Sequence, residues 1–169
     1  LRLKGLNLYR LGQSRKAVDE LEHSLSLYTE LKETGSIPML LAETAMVHAA
    51  VGNVESAKTS YHQTLKILRA EKNLYAQADT LNNLAVLLRA RGKLDESITY
   101  FRETVEKKKR AFGEMHPSTL SSIQSLGSVL GSSGHDDEAE ALMREVLAKQ
   151  QRLLGSDHES TLATMGNLS

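Results

Sequence analysis

A glycine recurs along this chain at nearly constant spacing, each time after an apolar run. Successive members of the series lie 40, 40 and 42 residues apart: Gly12, Gly52, Gly92 and Gly134. Self-similarity at a period of roughly 20–50 residues is typical of repeat proteins, in which one structural unit is stacked along the chain. The 169 residues are therefore predicted to form a short array of such repeats.

Each repeat contains two segments with helical periodicity, one on either side of the glycine. In the third repeat, apolar residues follow the i, i+3, i+4, i+7 rule in 81–88 and recur at helical spacing in 94–105. Gly92 lies where a helix C-terminus favours a left-handed residue. Asp95 and Glu96 then place negative charge in the first turn of the next helix. The pattern predicts an all-α fold of helical hairpins, with helix A before the glycine and helix B after it.

Small residues recur at matching positions of both helices and predict close packing of helix A on helix B. The position seven residues before the glycine is always small: Gly5, Ala45, Ala85 and Gly127. A second small residue follows the glycine, with a large apolar residue four positions later: Ala17/Leu21, Ala57/Tyr61, Ser97/Phe101 and Ala139/Met143. Aromatic residues make up only 4% of the chain and Trp is absent, so the core is expected to be aliphatic and alanine-based.

The segments that connect successive repeats are also similar to each other. Arg110–Leu120 is echoed by Arg152–Leu162, again with a shift of 42 residues. We expect the two equivalent connector histidines, His116 and His158, to bond locally at the start of helix A. Pro117 suits the first helical turn. At the other turn, we expect the segment His135, Asp136 and Asp137 to cap helix B.

These features predict one array over residues 1–169. Its repeats span about 1–36, 37–76, 77–118 and 119–160, with a partial repeat at 161–169. The chain begins with Leu1 rather than Met, and its last repeat stops within helix A. We therefore expect it to be a fragment of a longer chain.

Composition argues against several classes of function. Lys plus Arg and Asp plus Glu both total 21, so no net charge favours nucleic acid or an anionic membrane. The run at 107–110 is basic, but it falls late in helix B, where we expect it to be solvated. No cysteine, no Gly-x-Ser-x-Gly motif and no phosphate loop occurs. The six histidines lack the spacing of a metal site. We therefore expect no enzyme activity, no cofactor and no metal.

Helix A of the fourth repeat contains extra glycines, which are poor helix formers. We therefore expect this helix to be the least stable of the array.

The third repeat resembles a tetratricopeptide repeat (TPR) in its run of small and large residues from Leu84 to Phe101. The usual TPR unit has about 34 residues, so these repeats are longer, most economically through a longer helix B. The second half is similar to the 42-residue repeats of kinesin light chain, in Thr80–Leu87 and in the connector Phe112–Pro117. The first half looks more like the arrays of bacterial regulators and Pins-type scaffolds. The resemblance implies a right-handed superhelix of four antiparallel hairpins and a truncated fifth.

The resemblance also implies that helix A lines a concave, peptide-binding groove. Carrying the family's groove positions over residue by residue gives the predicted peptide-binding residues Glu43, Met46, Asn82, Asn83, Val86, Arg89, Gln124, Ser125, Ser128 and Asn167. The wider set of groove positions adds Arg2, Leu3, Leu6, Tyr9, Arg10, Ala42, Ala49, Asp79 and Ser121.

The predicted function is a cytoplasmic interaction scaffold that recognises a partner peptide, either extended or helical, anchored by Asn83 and Arg89. An asparagine amide can both donate to and accept from a peptide backbone; the alternative is that Asn83 bonds a neighbouring helix. Ser125 interrupts the register shared by Asn83 and Asn167. An alternative function is a sensor or regulatory array of a larger signalling ATPase or transcription regulator. The open C-terminal end, with Leu162 and Met165, offers self-association as a further mode.

Overall fold

The computed structural model describes residues 1–166 and residue 168, so the predicted site residue Asn167 lies outside the described part of the chain. The described residues form nine α-helices and no strand, which confirms the predicted all-α fold. In chain order the helices are α1 (Arg2–Arg10), α2 (Ser14–Glu30), α3 (Ile37–Ala50), α4 (Val54–Ala70), α5 (Leu74–Ala90), α6 (Leu94–Phe112), α7 (Pro117–Ser132), α8 (Asp136–Leu154) and α9 (Glu159–Gly166), with a short 3-10 turn at Thr34–Ser36. Odd-numbered helices correspond to helix A and even-numbered ones to helix B.

The recurrent glycines end helix A as predicted. Gly12, Gly52, Gly92 and Gly134 have φ of +74°, +86°, +71° and +82°. At Gly92 the glycine N–H donates to the Arg89 carbonyl at 3.0 Å, and the Lys93 N–H donates to the Leu88 carbonyl at 3.0 Å. This pair of bonds is a Schellman motif, which satisfies carbonyls at the helix C-terminus and reverses the chain into helix B.

The end of helix B explains why the period changes from 40 to 42 residues. In the first two repeats helix B has 17 residues and is followed by a tight turn through Lys32 or Lys72, at φ +57° and +55°. In the next two repeats helix B has 19 residues and ends at a glycine, Gly113 or Gly155. Helix B is therefore two residues longer in the 42-residue repeats than in the 40-residue repeats.

The connector histidines bond locally, as predicted. His116 Nδ1 accepts from the Ser118 N–H at 3.2 Å, and His158 Nδ1 accepts from the Ser160 N–H at 3.2 Å. The segment at 135–137 begins helix B as predicted, with His135 as the N-cap residue and Asp136 and Asp137 in the first turn of α8, but the His135 ring makes no hydrogen bond to the start of that helix. His135 has φ −92° and ψ 57° rather than the extended backbone of His116, and its Nδ1 lies 2.9 Å from the Ser133 hydroxyl.

Residues 1–83 form the first of two compact units. Its core includes fully buried Ala17, Leu21, Leu40 and Val47. Gly5 of α1 lies so close to α2 that a Cβ placed there would be 2.8 Å from Leu21 Cγ. The small residue in helix A thus permits the close approach that the repeat pattern predicted.

Residues 84–169 form the second compact unit. Its core is aliphatic around a single phenylalanine, and the fully buried members include Ala85, Phe101, Val129, Leu130 and Val146. The Ser97 hydroxyl, also fully buried, donates to the Ala85 carbonyl at 2.8 Å and so joins helix B to helix A.

The basic run at 107–110 departs from the expected solvated face at one position. Lys108 is only 8% exposed. It lies four residues after Thr104 and seven after Phe101, both fully buried, so the helical period places its aliphatic stem on the buried face of α6. The prediction of a fully solvated run was therefore wrong for this residue.

Replacing Gly131 with alanine is expected to stabilise the chain by about 0.5–1 kcal/mol, because glycine is a poor helix former. Gly131 is in the last turn of α7, and an added Cβ would meet only Ala139 Cβ, at 3.9 Å. Urea denaturation followed by circular dichroism measures the change. The matched variant Gly127→Ala should gain less, because its Cβ would lie 3.0 Å from Met143 Cε. A less stable Gly131→Ala would contradict this account of the soft helix.

Candidate functional site

In the first compact unit, two of the groove positions carry opposite charges and bond to each other. The Arg2 guanidinium on α1 donates to the Glu43 carboxylate on α3, from Nε to Oε2 at 2.8 Å and from Nη2 to Oε1 at 2.6 Å. The hydrogen bond and the charge of Glu43 raise the pKa of Arg2. Met46, one helical turn beyond Glu43, is 39% exposed. This stretch of helix A therefore presents an internally neutralised ion pair beside an accessible thioether.

The first compact unit also holds a cavity of about 340 Å³ among α3, α4 and the first half of α5. Three of its lining residues are groove positions from the sequence: Ala42, Asp79 and Asn83. The sequence analysis did not single out the other walls, which include Pro38 and Met39 on α3, Thr64, Leu68 and Glu71 at the end of α4, and Tyr75, Ala76 and Thr80 on α5. Met39 and Tyr75 are one turn before Ala42 and Asp79, so helical spacing alone could have added both.

The polar lining of this cavity comprises two carboxylates, three hydroxyls and the amides of Asn73 and Asn83. Asp79 accepts a hydrogen bond from the Tyr75 hydroxyl, and the charge and this bond raise the pKa of Tyr75. The hydroxyls of Thr64 and Thr80 donate to carbonyls of their own helices, at 2.9 Å and 2.8 Å. Among the described lining residues there are two carboxylates, Glu71 and Asp79, and no Lys, Arg or His. The electrostatic environment is therefore negative.

In the second compact unit, the groove positions of α5 and α7 meet at one contact. Arg89 Nη1 lies 3.5 Å from Ser128 Oγ, a long hydrogen bond between two exposed side chains. Val86, one turn before Arg89, is 45% exposed. Because a guanidinium has five N–H donors, this long bond leaves Arg89 with donors to offer a ligand.

Two further predicted residues are engaged in bonds within the second compact unit. Gln124 Nε2 donates to Thr164 Oγ1 at 2.5 Å, and this hydroxyl lies 2.7 Å from Gln150 Oε1. Gln124 thereby joins α7 to α9 and α8. The Ser125 hydroxyl donates to the Ser121 carbonyl of its own helix at 3.1 Å.

The two predicted asparagines of α5 differ in exposure. Asn82 is half-buried, whereas Asn83 is exposed.

Three of these side-chain pairs have similar sequence separations. Arg2 and Glu43 are 41 residues apart, Arg89 and Ser128 are 39 apart, and Gln124 and Thr164 are 40 apart. Each separation is about one repeat, so side chains of successive A helices meet within each compact unit. The repeat period in the sequence could therefore have been used to predict these pairs.

The described residues also bear on metal binding and on membrane spanning. No group of three or more histidine, aspartate or glutamate side chains there is arranged to hold a metal ion. None of the described helices combines the length and apolar character needed to span a membrane.

Comparison with known proteins finds one sequence family and several similar folds. The tetratricopeptide-repeat family model matches residues 36–109 and 76–151. No curated protein sequence matches the chain. A crystal structure of nearly identical TPR-like repeats, from a Podosopora anserina protein named as a kinesin light chain, has a TM-score of 0.85 at 24% identity, covering 99% of this chain and 81% of that one. BtubC (BKLC) from P. vanneervenii has a TM-score of 0.81 at 23% identity, covering 97% and 67%. At these identities the structural likenesses show the fold, a TPR solenoid like that of kinesin light chain.

Proposed function

The chain belongs to the tetratricopeptide-repeat family, whose fold serves as a protein–protein interaction scaffold, and we propose that it binds a peptide segment of a partner along helix A. The observation that carries the proposal is on α5. Asn83, Val86 and Arg89 follow one another at intervals of three residues, and all three are exposed. One helix surface thus offers an amide, an apolar side chain and a guanidinium.

These three groups suit different parts of a bound peptide. The Asn83 amide can donate to a backbone carbonyl and accept from a backbone N–H without regard to sequence. Arg89 can bind a carbonyl or a carboxylate, and arginine is enriched among the residues that dominate binding energy. Val86 between them supplies apolar contact. Gln124 and Ser125 contribute less in this proposal, because their side chains are engaged within the second compact unit.

The double variant Asn83→Ala/Arg89→Ala is expected to weaken peptide binding about tenfold or more, a loss of roughly 1.4 kcal/mol, because it removes two contact residues together. The probe is a set of synthetic peptides chosen by selecting a displayed library of random peptides against the wild-type protein. Fluorescence anisotropy then measures the affinity of each peptide for each variant.

A matched control removes the same chemical groups from helix B. Arg110 on α6 and Gln151 on α8 are both exposed, so Arg110→Ala/Gln151→Ala deletes one guanidinium and one amide away from the proposed surface. The control should bind the peptides like the wild type. Equal binding by all three proteins would place the contact elsewhere and contradict the proposal.

A further inference from the structure

We propose that the cavity among α3, α4 and α5 binds an apolar side chain of a partner peptide that carries a lysine or arginine beside it. The inference rests on the proposed function, since it concerns the same helix A surface. It goes further by naming the chemistry of the peptide.

The size and walls of the cavity suit a side chain. Its volume of about 340 Å³ is at the low end of the range of roughly 300–1,000 Å³ found for small-molecule sites. The walls include the apolar groups of Pro38, Met39, Ala42 and Leu68. Met39 is 43% exposed, so a ligand side chain can cover it. Methionine, with three rotatable bonds, adapts its shape to such contacts.

The charge of the cavity selects the neighbouring residue of the peptide. Glu71 and Asp79 are its charged lining residues within the described chain, and both are acidic. Asp79 is half-buried, so an ammonium or guanidinium beside it is screened less than at an open surface. The Tyr75 ring, 58% exposed, adds an aromatic face for a cation. An acidic peptide would instead meet two like charges.

The three hydroxyls of the cavity favour the same ligand, and the amides of Asn73 and Asn83 can donate to carbonyls of the peptide backbone. Thr64 and Thr80 already use their hydroxyl protons within their own helices, and Tyr75 uses its proton on Asp79. These oxygens keep lone pairs but have no proton left to donate. A cationic side chain supplies only donors, and it therefore complements these acceptors.

The test removes the charge and keeps the shape. Glu71→Gln/Asp79→Asn retains acceptor oxygens and side-chain size, and the amide oxygen introduced at position 79 can still accept from Tyr75. Random displayed peptides selected on the wild type should be enriched in an apolar residue next to Lys or Arg. The selected synthetic peptides should bind this variant about three- to tenfold more weakly in low salt, and the difference should shrink in high salt.

The matched control is Asp19→Asn/Glu106→Gln, which removes the same two charges from helix B, at positions on α2 and α6. It should leave affinity within twofold of the wild type. A second variant, Ala42→Met, fills the cavity without changing charge and should weaken the same peptides.

The outcomes separate this inference from the proposed function. Peptides that lack basic enrichment, and that bind the charge-removed variant as well as the wild type while losing affinity for Asn83→Ala/Arg89→Ala, would overturn the inference and leave the proposed function standing. Peptides that lose no affinity for Asn83→Ala/Arg89→Ala would count against the proposed function. A selection that returns no binding peptide would contradict both.

Discussion

Replacing Phe101 with alanine is expected to lower the free energy of unfolding by about 3–5 kcal/mol, the usual cost of deleting a buried aromatic ring. Phe101 is fully buried in the core of the second compact unit, together with Ile98, Val105, Leu120 and Ile123. It is a large residue of helix B, and deleting it leaves a cavity between α6 and α7. Because a helical repeat is stabilised by its neighbours, the loss should lower the unfolding midpoint of the whole second compact unit.

Urea denaturation followed by circular dichroism measures this effect, and two further variants identify its cause. Phe101→Leu keeps most of the buried volume and should cost no more than about 1.5 kcal/mol. Tyr75→Ala removes a ring from a position that is 58% exposed and should cost less than about 1 kcal/mol. If Phe101→Ala were no more destabilising than Tyr75→Ala, the ring would not organise this core.

The sequence predicts those parts of the fold in which a single residue type suits the local backbone or the local packing. A glycine after an apolar helix, as at Gly92, readily adopts the left-handed conformation that ends a helix. The structure has a positive φ at the glycine of each of the four repeats. The small residues Gly5 and Ala85 are likewise at close helix contacts. His116 and His158 each accept from the backbone N–H two residues later, and at His116 the residue before Pro117 has the extended backbone that proline favours.

The ends of helix B in the first two repeats could not be predicted in the same way. Lys32 and Lys72 take positive φ, a conformation that costs an L-residue about 1–2 kcal/mol and that no residue type signals there. The missing side-chain cap at His135 has a related reason, since the direction of its ring depends on its backbone φ and ψ, −92° and 57°, which no residue type signals there.

The candidate site was predicted only in part. The position of a residue along helix A indicates which surface it lies on, but it does not indicate which residues of other helices it contacts. Asn83 and Asp79 were predicted as groove positions carried over from the family resemblance. The cavity that they line also needs Leu68 and Glu71, which come from the end of helix B and belong to no groove register. Gln124 was placed on the correct helix, but its bond to Thr164 depends on how α7 and α9 pack.

Replacing Gly113 with alanine is expected to destabilise the chain by about 1–3 kcal/mol. Gly113 has φ +90° and ψ 165°, a region that is essentially restricted to glycine. Gly155, its equivalent in the next connector, has φ +89° and ψ 165°. The Gly113 carbonyl also accepts from the Thr119 hydroxyl at 2.9 Å, so the backbone conformation aligns the end of α6 with the start of α7.

The cost at Gly113 should come from backbone strain and not from crowding, because an added Cβ would meet nothing within 4 Å. Gly35 provides the control: its Cβ also has open space, but its φ is not positive. Gly35→Ala should therefore change stability by no more than about 0.5 kcal/mol. Urea denaturation of both variants gives the comparison. Equal stability of Gly113→Ala and Gly35→Ala would mean that the connector relaxes into an ordinary conformation, and that the 42-residue period does not depend on a glycine at the end of helix B.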